Sequence, residues 1–306
     1  MRKYSIFGLL SFLFIVIVIG KLVIVAQGPI TGTWTADTRE NKDGKIQLNL
    51  EVKRNGNGRH QMGQSYDYGD LQGLSPSQVQ NGRVSFRLAR EAGTIQCDGE
   101  FVNGKGSGTF TFTPNAAFVD GMRGRGFDFT KQSVKKNGED PYEVSDRLFT
   151  AAALNVTTAL ADDLLSANFG KLDVEDLFKA AIFKVDGKFM AEMKATGFPN
   201  LGMEDLVKAR IFKIDADYVR QVADMGFDNR DFEDLVKFRI FKVTPEFLSS
   251  LKNEGFNNLS SEEVVKFRIF NIDTDFIKKA KAENPNVTVE EMVQMKIGVR
   301  RRGDNQ

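Results

Sequence analysis

The string DLVKARIFKIDADYVRQVADMGF, residues 205–227, returns in altered form every 29 residues through the second half of the chain. Aligned on the apolar residue after an acidic pair, the units fall at Leu148, Leu177, Leu206, Leu235, Val264 and Met292, in steps of 29, 29, 29, 29 and 28. Self-similarity at such a period marks a stacked array, because a unit this short cannot bury its own apolar face and only neighbours close the core. The repeat therefore predicts a solenoid of helices over residues 148–299.

Each unit reads as two short helices. The first starts behind a cap column, Asp173, Gly202, Asp231, Ser260 and Thr288, with an acid three residues later at Asp176, Asp205, Asp234, Glu263 and Glu291, the spacing of a capping box. Its body, LVKARIF or VVKFRIF, is apolar over most of its circumference and is expected to lie sandwiched between neighbours. The second helix opens behind Asp186, Asp215, Thr244 and Asp273, carries one apolar stripe, and ends in Gly-Phe at 197–198, 226–227 and 255–256. Glycine supplies the left-handed residue after the last turn, and the phenylalanine is expected to fold back on the stripe.

The array begins before its first full unit. Asn115, Phe118, Gly126 and Phe127 match Asp215, Tyr218, Gly226 and Phe227 at a constant offset of 100, so NAAFVDGMRGRGF is a lone second helix. An insertion, DFTKQSVKKNGEDPYEVSD, follows and reads as loop or linker, giving a half-repeat and linker over 114–147. The chain closes in a charged tail, 300–306.

Residues 29–113 have a different period. KIQLNLEV places Ile46, Leu48, Leu50 and Val52 on one strand face, and RVSFRL does the same with Val84, Phe86 and Leu88. KDG, NGNG, NG and NGKGSG supply turn residues between such runs. These runs predict an antiparallel meander of about six strands, curled or barrel-like, so that the fold class is α+β, a β domain followed by a helical array. Within it, Trp34 in GTW reads as a core residue closing one end of the sheet. His60, the sole histidine, shares strand parity with Met62, Tyr66 and Tyr68. Trp34, His60, Tyr66 and Tyr68 are the candidate ligand-binding group if the β domain takes a small molecule. Cys97 has the parity of Ile95 and Phe101 and is expected to be a buried small hydrophobe.

The first 28 residues, MRKYSIFGLLSFLFIVIVIGKLVIVAQG, have basic residues at 2 and 3 and an uncharged run from Ile6 to Gly20. They read as an export signal, either a cleaved signal peptide or a retained anchor extended past Lys21. The expected location is periplasmic or extracellular, with membrane contact through this segment alone. Formal net charge is +1, and without Arg2, Lys3 and Lys21 the balance is 39 basic against 41 acidic residues, leaving no basic excess to hold nucleic acid.

Two basic columns, Lys208, Lys237 and Lys266 with Arg210, Arg239 and Arg268, invite a reading as an interaction surface for an anionic ligand. Against it stands pairing of each cation with the acidic turn of its neighbour, since acidic columns recur at the same period. No His-Glu-x-x-His, Cys-x-x-Cys, Walker loop or Gly-x-Ser-x-Gly occurs, so no cofactor, metal or catalytic group is expected.

The GTW opening, the stretch VSFRLAREAGTIQCDGEFVNGKGSGTFTFTPN and helix pairs of the type LVKFRIFKVTPEFLSSLKNEGF resemble the extracytoplasmic C-terminal region of Bla-regulator-type bacterial membrane metallopeptidases, over about residues 30–299. The zinc motif of those proteins does not occur here. The resemblance thus implies sensing or partner contact outside the cytoplasm, with an unidentified envelope or extracellular protein as partner, and no peptidase activity. The expectation is a non-enzymatic exported protein whose array binds another protein; the alternative is a small-ligand binder using the β domain.

Overall fold

The computed structural model describes residues 29–38, 44–53, 59–131, 144–198, 200–227 and 231–298; the leader and the charged tail lie outside them. Seven strands, rather than about six, form one antiparallel sheet: β1 (Ile30–Asp37), β2 (Lys45–Lys53), β3 (Arg59–Asp67), the two-residue β4 (Leu71–Gln72), β5 (Gly82–Arg90), β6 (Gly93–Val102) and β7 (Lys105–Pro114). Their order is β3-β2-β1-β7-β6-β5-β4, so the last strand slots in beside the first and the sheet curls as an open half-barrel. Alternation works as the pattern predicts: Ile46, Leu48, Leu50, Val84, Phe86, Leu88, Ile95 and Cys97 are all buried on one face.

One stretch differs from its reading as turn chemistry. In NGKGSG only Asn103 (φ 51°) and Gly104 (φ 77°) form the hairpin turn; Gly106 and Gly108 belong to β7. Trp34 pairs in register with Gly108, which pairs with Gly99 on β6. A Cβ on Gly99, Gly106 or Gly108 would come to 2.7 Å of the indole. The three glycines form the niche in which Trp34 lies, which is a packing role rather than a turning one.

Among the described residues twelve helices follow: α1 (Ala116–Gly124), α2 (Val144–Ala153), α3 (Thr158–Ser166), α4 (Val174–Phe183), α5 (Gly187–Ala195), α6 (Met203–Phe212), α7 (Ala216–Asp224), α8 (Phe232–Ile240), α9 (Pro245–Asn253), α10 (Ser261–Ile269), α11 (Thr274–Glu283) and α12 (Val289–Lys296). The first helices of successive units, α4, α6, α8, α10 and α12, stack in one row, and α1, α3, α5 and α7 stack in the other. Capping boxes close the starts of α4, α10 and α12 through Asp173–Asp176, Ser260–Glu263 and Thr288–Glu291. At α6 glycine has no side chain, so only the return bond forms, Gly202 N–H donating to Asp205 at 2.9 Å. At α8 the Asp231 side chain accepts from the Glu233 N–H, and the Asp234 N–H goes to the Asp231 carbonyl.

The first helices end in a way their sequence hides. Asn155, Lys184, Lys213, Lys242 and Asn271 all have φ between 48° and 58°. In each case the next residue donates its N–H five positions back, as Ile214 does to Ala209 at 2.8 Å and Val243 to Phe238 at 2.8 Å. That is the Schellman closure, built on asparagine in two units and on lysine in three, where it costs about 1–2 kcal/mol of left-handed strain. At the second helices glycine fills this place, as predicted, but the following phenylalanine reaches forward: Phe227 meets Phe238 edge-on at 5.3 Å and Phe256 meets Phe267 at 5.4 Å, both on the next unit's first helix.

The insertion is part helix. α2 starts at Val144, four residues ahead of the boundary the repeat alone suggests, and Phe129 is fully buried between Phe118 of α1 and Phe178 of α4. α2, the first helix of unit one, packs on β3, β6 and β7. One apolar cluster accordingly runs from Trp34 through Phe149 to Val265, joining sheet and array, while the last units close around Phe267, Ile277 and Met292.

Candidate interaction surface

The four β-domain candidates come out as follows. Trp34 is 0% exposed, held edge-to-face by Phe86 at 5.3 Å, and donates from Nε1 to the Asp98 carbonyl at 3.2 Å. Tyr66 donates to the Ala153 carbonyl on α2 at 3.0 Å, and burial pushes its phenol pKa up. His60 Nε2 meets Thr150 Oγ1 at 3.1 Å, with its ring edge-on to Phe149. Tyr68 sits in a single 3-10 turn, half-buried against the same core. His60 and Tyr66, with Phe110 and Phe112 of the sheet, thus pack against α2.

On the sheet's outer face, Thr31, Thr33, Thr109 and Thr111 with Glu51 and Lys53 line a shallow groove of about 470 Å³. Threonine is a favoured strand residue on a solvated face, and no buried polar group converges there.

The basic columns serve the stacking. Arg210, Arg239 and Arg268 lie over Phe189, Tyr218 and Phe247 of the preceding unit at 3.7, 3.6 and 4.6 Å from the ring centroids, and Lys296 continues the series over Phe276 at 4.5 Å. Arg239 also donates to the Lys213 carbonyl at 2.7 Å, and Arg268 to those of Phe241 and Lys242 at 2.9 and 2.7 Å. One guanidinium therefore covers an aromatic ring and caps the negative end of the previous helix. Lys179 reaches Glu204 of the next unit at 2.5 Å, Lys208 reaches Glu233, and Lys266 reaches Glu290 at 3.0 Å. Lys237 instead bonds Asp234 of its own helix at 2.9 Å. The carboxylate hydrogen bonds hold the Lys208, Lys237 and Lys266 pKa values up.

This geometry separates arginine from lysine. In Arg239→Lys an ammonium cannot both lie flat on Tyr218 and reach the Lys213 carbonyl. We expect a loss of about 1 kcal/mol, read as a fall of roughly 2 °C in Tm by circular dichroism at 222 nm. An unchanged Tm would mean that the stacked guanidinium contributes nothing.

One column that the array leaves open is apolar. Ile182, Ile211, Ile240, Ile269 and Ile297 are 49, 52, 49, 47 and 54% exposed and occupy one repeat position, five residues after the aligning leucine. The first helix lies between its row neighbours, as expected, but is not covered all round: Leu206, Val207 and Ala209 are buried, and Ile211 faces water. The signal was present in the recurring RIF. A helix flanked by neighbours on two sides and a second layer beneath still has an outer side, and isoleucine rather than a polar residue occupies it.

Among the described residues, no group of His, Cys, Asp and Glu is arranged to hold a metal ion. Cys97 is buried in the sheet, and desolvation, then Asp98, pushes its thiol up to about 12, which leaves almost no nucleophilic thiolate at neutral pH. Among the same residues, no single helix is long and apolar enough to cross a membrane; the bent pair α2–α3 passes by composition, with Leu148, Phe149, Ala161 and Leu164 buried in the core. No protein-family model matches the chain, and no curated protein is significantly similar to it.

Proposed function

We propose that this is a non-enzymatic exported protein whose helical array is a protein-interaction surface, with the β sheet docking and orienting the array's first unit. The observation that carries this reading is the isoleucine column: five half-exposed isoleucines in register along one side of a solenoid. Stacking does not need them, solubility disfavours them, and extended repeat faces of this kind suit partner proteins. Export rests on the leader, and a role in envelope signalling on the resemblance to the extracytoplasmic region of Bla-regulator-type metallopeptidases.

The test is affinity capture from the native cell envelope with the full chain and with an Ile211→Ser/Ile240→Ser variant of unchanged circular dichroism. At least one protein retained by the unaltered chain and lost from the variant is the expected result. Identical captured sets would remove the array as the interaction surface.

A further inference from the structure

We propose that the isoleucine strip is a self-association surface, and that its occupant is the same strip of a second copy of this chain, packed antiparallel about a two-fold axis. This rests on the reading of the array as an interaction surface and names the partner.

The strip continues an interface that already exists within the chain. In unit one its position is held by Ala153, which is 2% exposed, and the neighbouring positions are Phe149 and Thr150. Phe149 stacks on Phe110 and Thr150 meets His60, both residues of the sheet. One helix face therefore takes the sheet in unit one and isoleucine with water in units two to six. Alanine replaces isoleucine where the face is covered closely, which marks the larger side chain as suited to a cover that is not part of the same fold.

Two features select a second copy as that cover. The first is charge. Beside the strip runs a rail of lysine and glutamate bonded across units, Lys179 to Glu204, Lys208 to Glu233 and Lys266 to Glu290, interrupted at Lys237, which bonds Asp234 of its own helix. A rail neutralised in this way has no surplus of positive charge to draw it to anionic lipid. It carries both signs at the repeat spacing, so an identical rail running the other way can set lysine against glutamate. The second is pitch. Helices in one row lie about 8–10 Å apart, so the four steps between five rungs extend about 32–40 Å. A second copy has the same spacing throughout, and with the rails the contact is of the order of the ~800 Å² per partner found in stable complexes. Two-fold contacts are self-complementary, so one patch suffices. With all five rungs engaged, Ile240 lies on the axis, Ile211 faces Ile269, and Ile182 faces Ile297.

The test uses the full chain in its own envelope, with p-benzoylphenylalanine replacing Ile240 and, separately, Ile211, followed by irradiation. The expected result is an adduct at about twice the 34.2 kDa chain mass, containing peptides of this chain alone. An adduct with a different protein and none with a second copy overturns self-association while leaving the interaction reading standing. A lipid adduct alone, or no adduct at either position, overturns both. Register is tested by cysteines, since Cys97 is buried. Ile240→Cys chains should form a disulfide with one another, and Ile211→Cys chains should pair with co-expressed Ile269→Cys chains. Cross-linking of Ile240→Cys no greater than that of Val102→Cys, which is 54% exposed on the sheet, would overturn the two-fold arrangement.

Discussion

Trp34→Ala is expected to destabilise the chain by about 3–5 kcal/mol, the range for removing a fully buried aromatic side chain. The indole is 0% exposed, contacts Phe86 and Phe101 at 5.3 and 5.7 Å between centroids, and satisfies the Asp98 carbonyl through Nε1. Relaxation cannot fill the space, because the niche is walled by Gly99, Gly106 and Gly108, which have no side chains to move inward. The same wall predicts a companion effect. A Cβ on Gly108 would stand 2.0 Å from the Asp98 carbonyl oxygen and 2.7 Å from Trp34 Nε1. The first of these is backbone and cannot swing aside, so Gly108→Ala should cost at least the ~1–3 kcal/mol of core overpacking. Urea denaturation followed by circular dichroism measures both, and a loss below about 1 kcal/mol in Trp34→Ala would show that the indole is not the keystone of the sheet.

Those glycines illustrate what the chain discloses in one dimension. Alternation in KIQLNLEV and RVSFRL, and the 29-residue period, report which residues share a face, and the buried faces follow directly from them. Neither pattern reports what covers a face. The partner of Phe149 is a sheet whose strands lie 35 or more residues earlier, and the pairing of β7 with β1 brings Trp34 over Gly108, 74 residues apart. Phe129 sat in a stretch with no period at all, yet its ring joins α1 to α4. The lysines in left-handed conformation were hidden because glycine is the usual mark of that geometry; the clue was the apolar residue just after each, as in Lys213-Ile214 and Lys242-Val243. For the candidate surface, the charged columns drew attention because charge is conspicuous. The isoleucines beside them do not stand out, since hydropathy cannot separate the inner side of an apolar helix from the outer.

Phe149→Ala should cost about 3–5 kcal/mol and, more informatively, should split one unfolding transition into two. Phe149 is 0% exposed, stacks on Phe110 at 5.3 Å with rings 1° from parallel, and meets Phe112 and His60 edge-on at 5.7 and 5.9 Å. With the Thr150–His60 and Tyr66–Ala153 hydrogen bonds it makes the joint through which the sheet covers the array's first helix. A stack of repeats interacts only with its neighbours, so its end needs a cap, and here the sheet serves as one. Weakening that contact leaves sheet and array each with a core but with little coupling between them. The chain supplies two independent reporters. Trp34, the sole tryptophan, reads the sheet by fluorescence, while circular dichroism at 222 nm reads chiefly the twelve helices. In the unaltered chain the two urea midpoints should coincide. In Phe149→Ala they should separate, the helical signal moving to lower urea because unit one has lost its cover. Coincident midpoints in the variant would mean that the coupling runs instead through the second row, by way of α1 and Phe129, and that the sheet is attached to the solenoid at its side rather than capping its end.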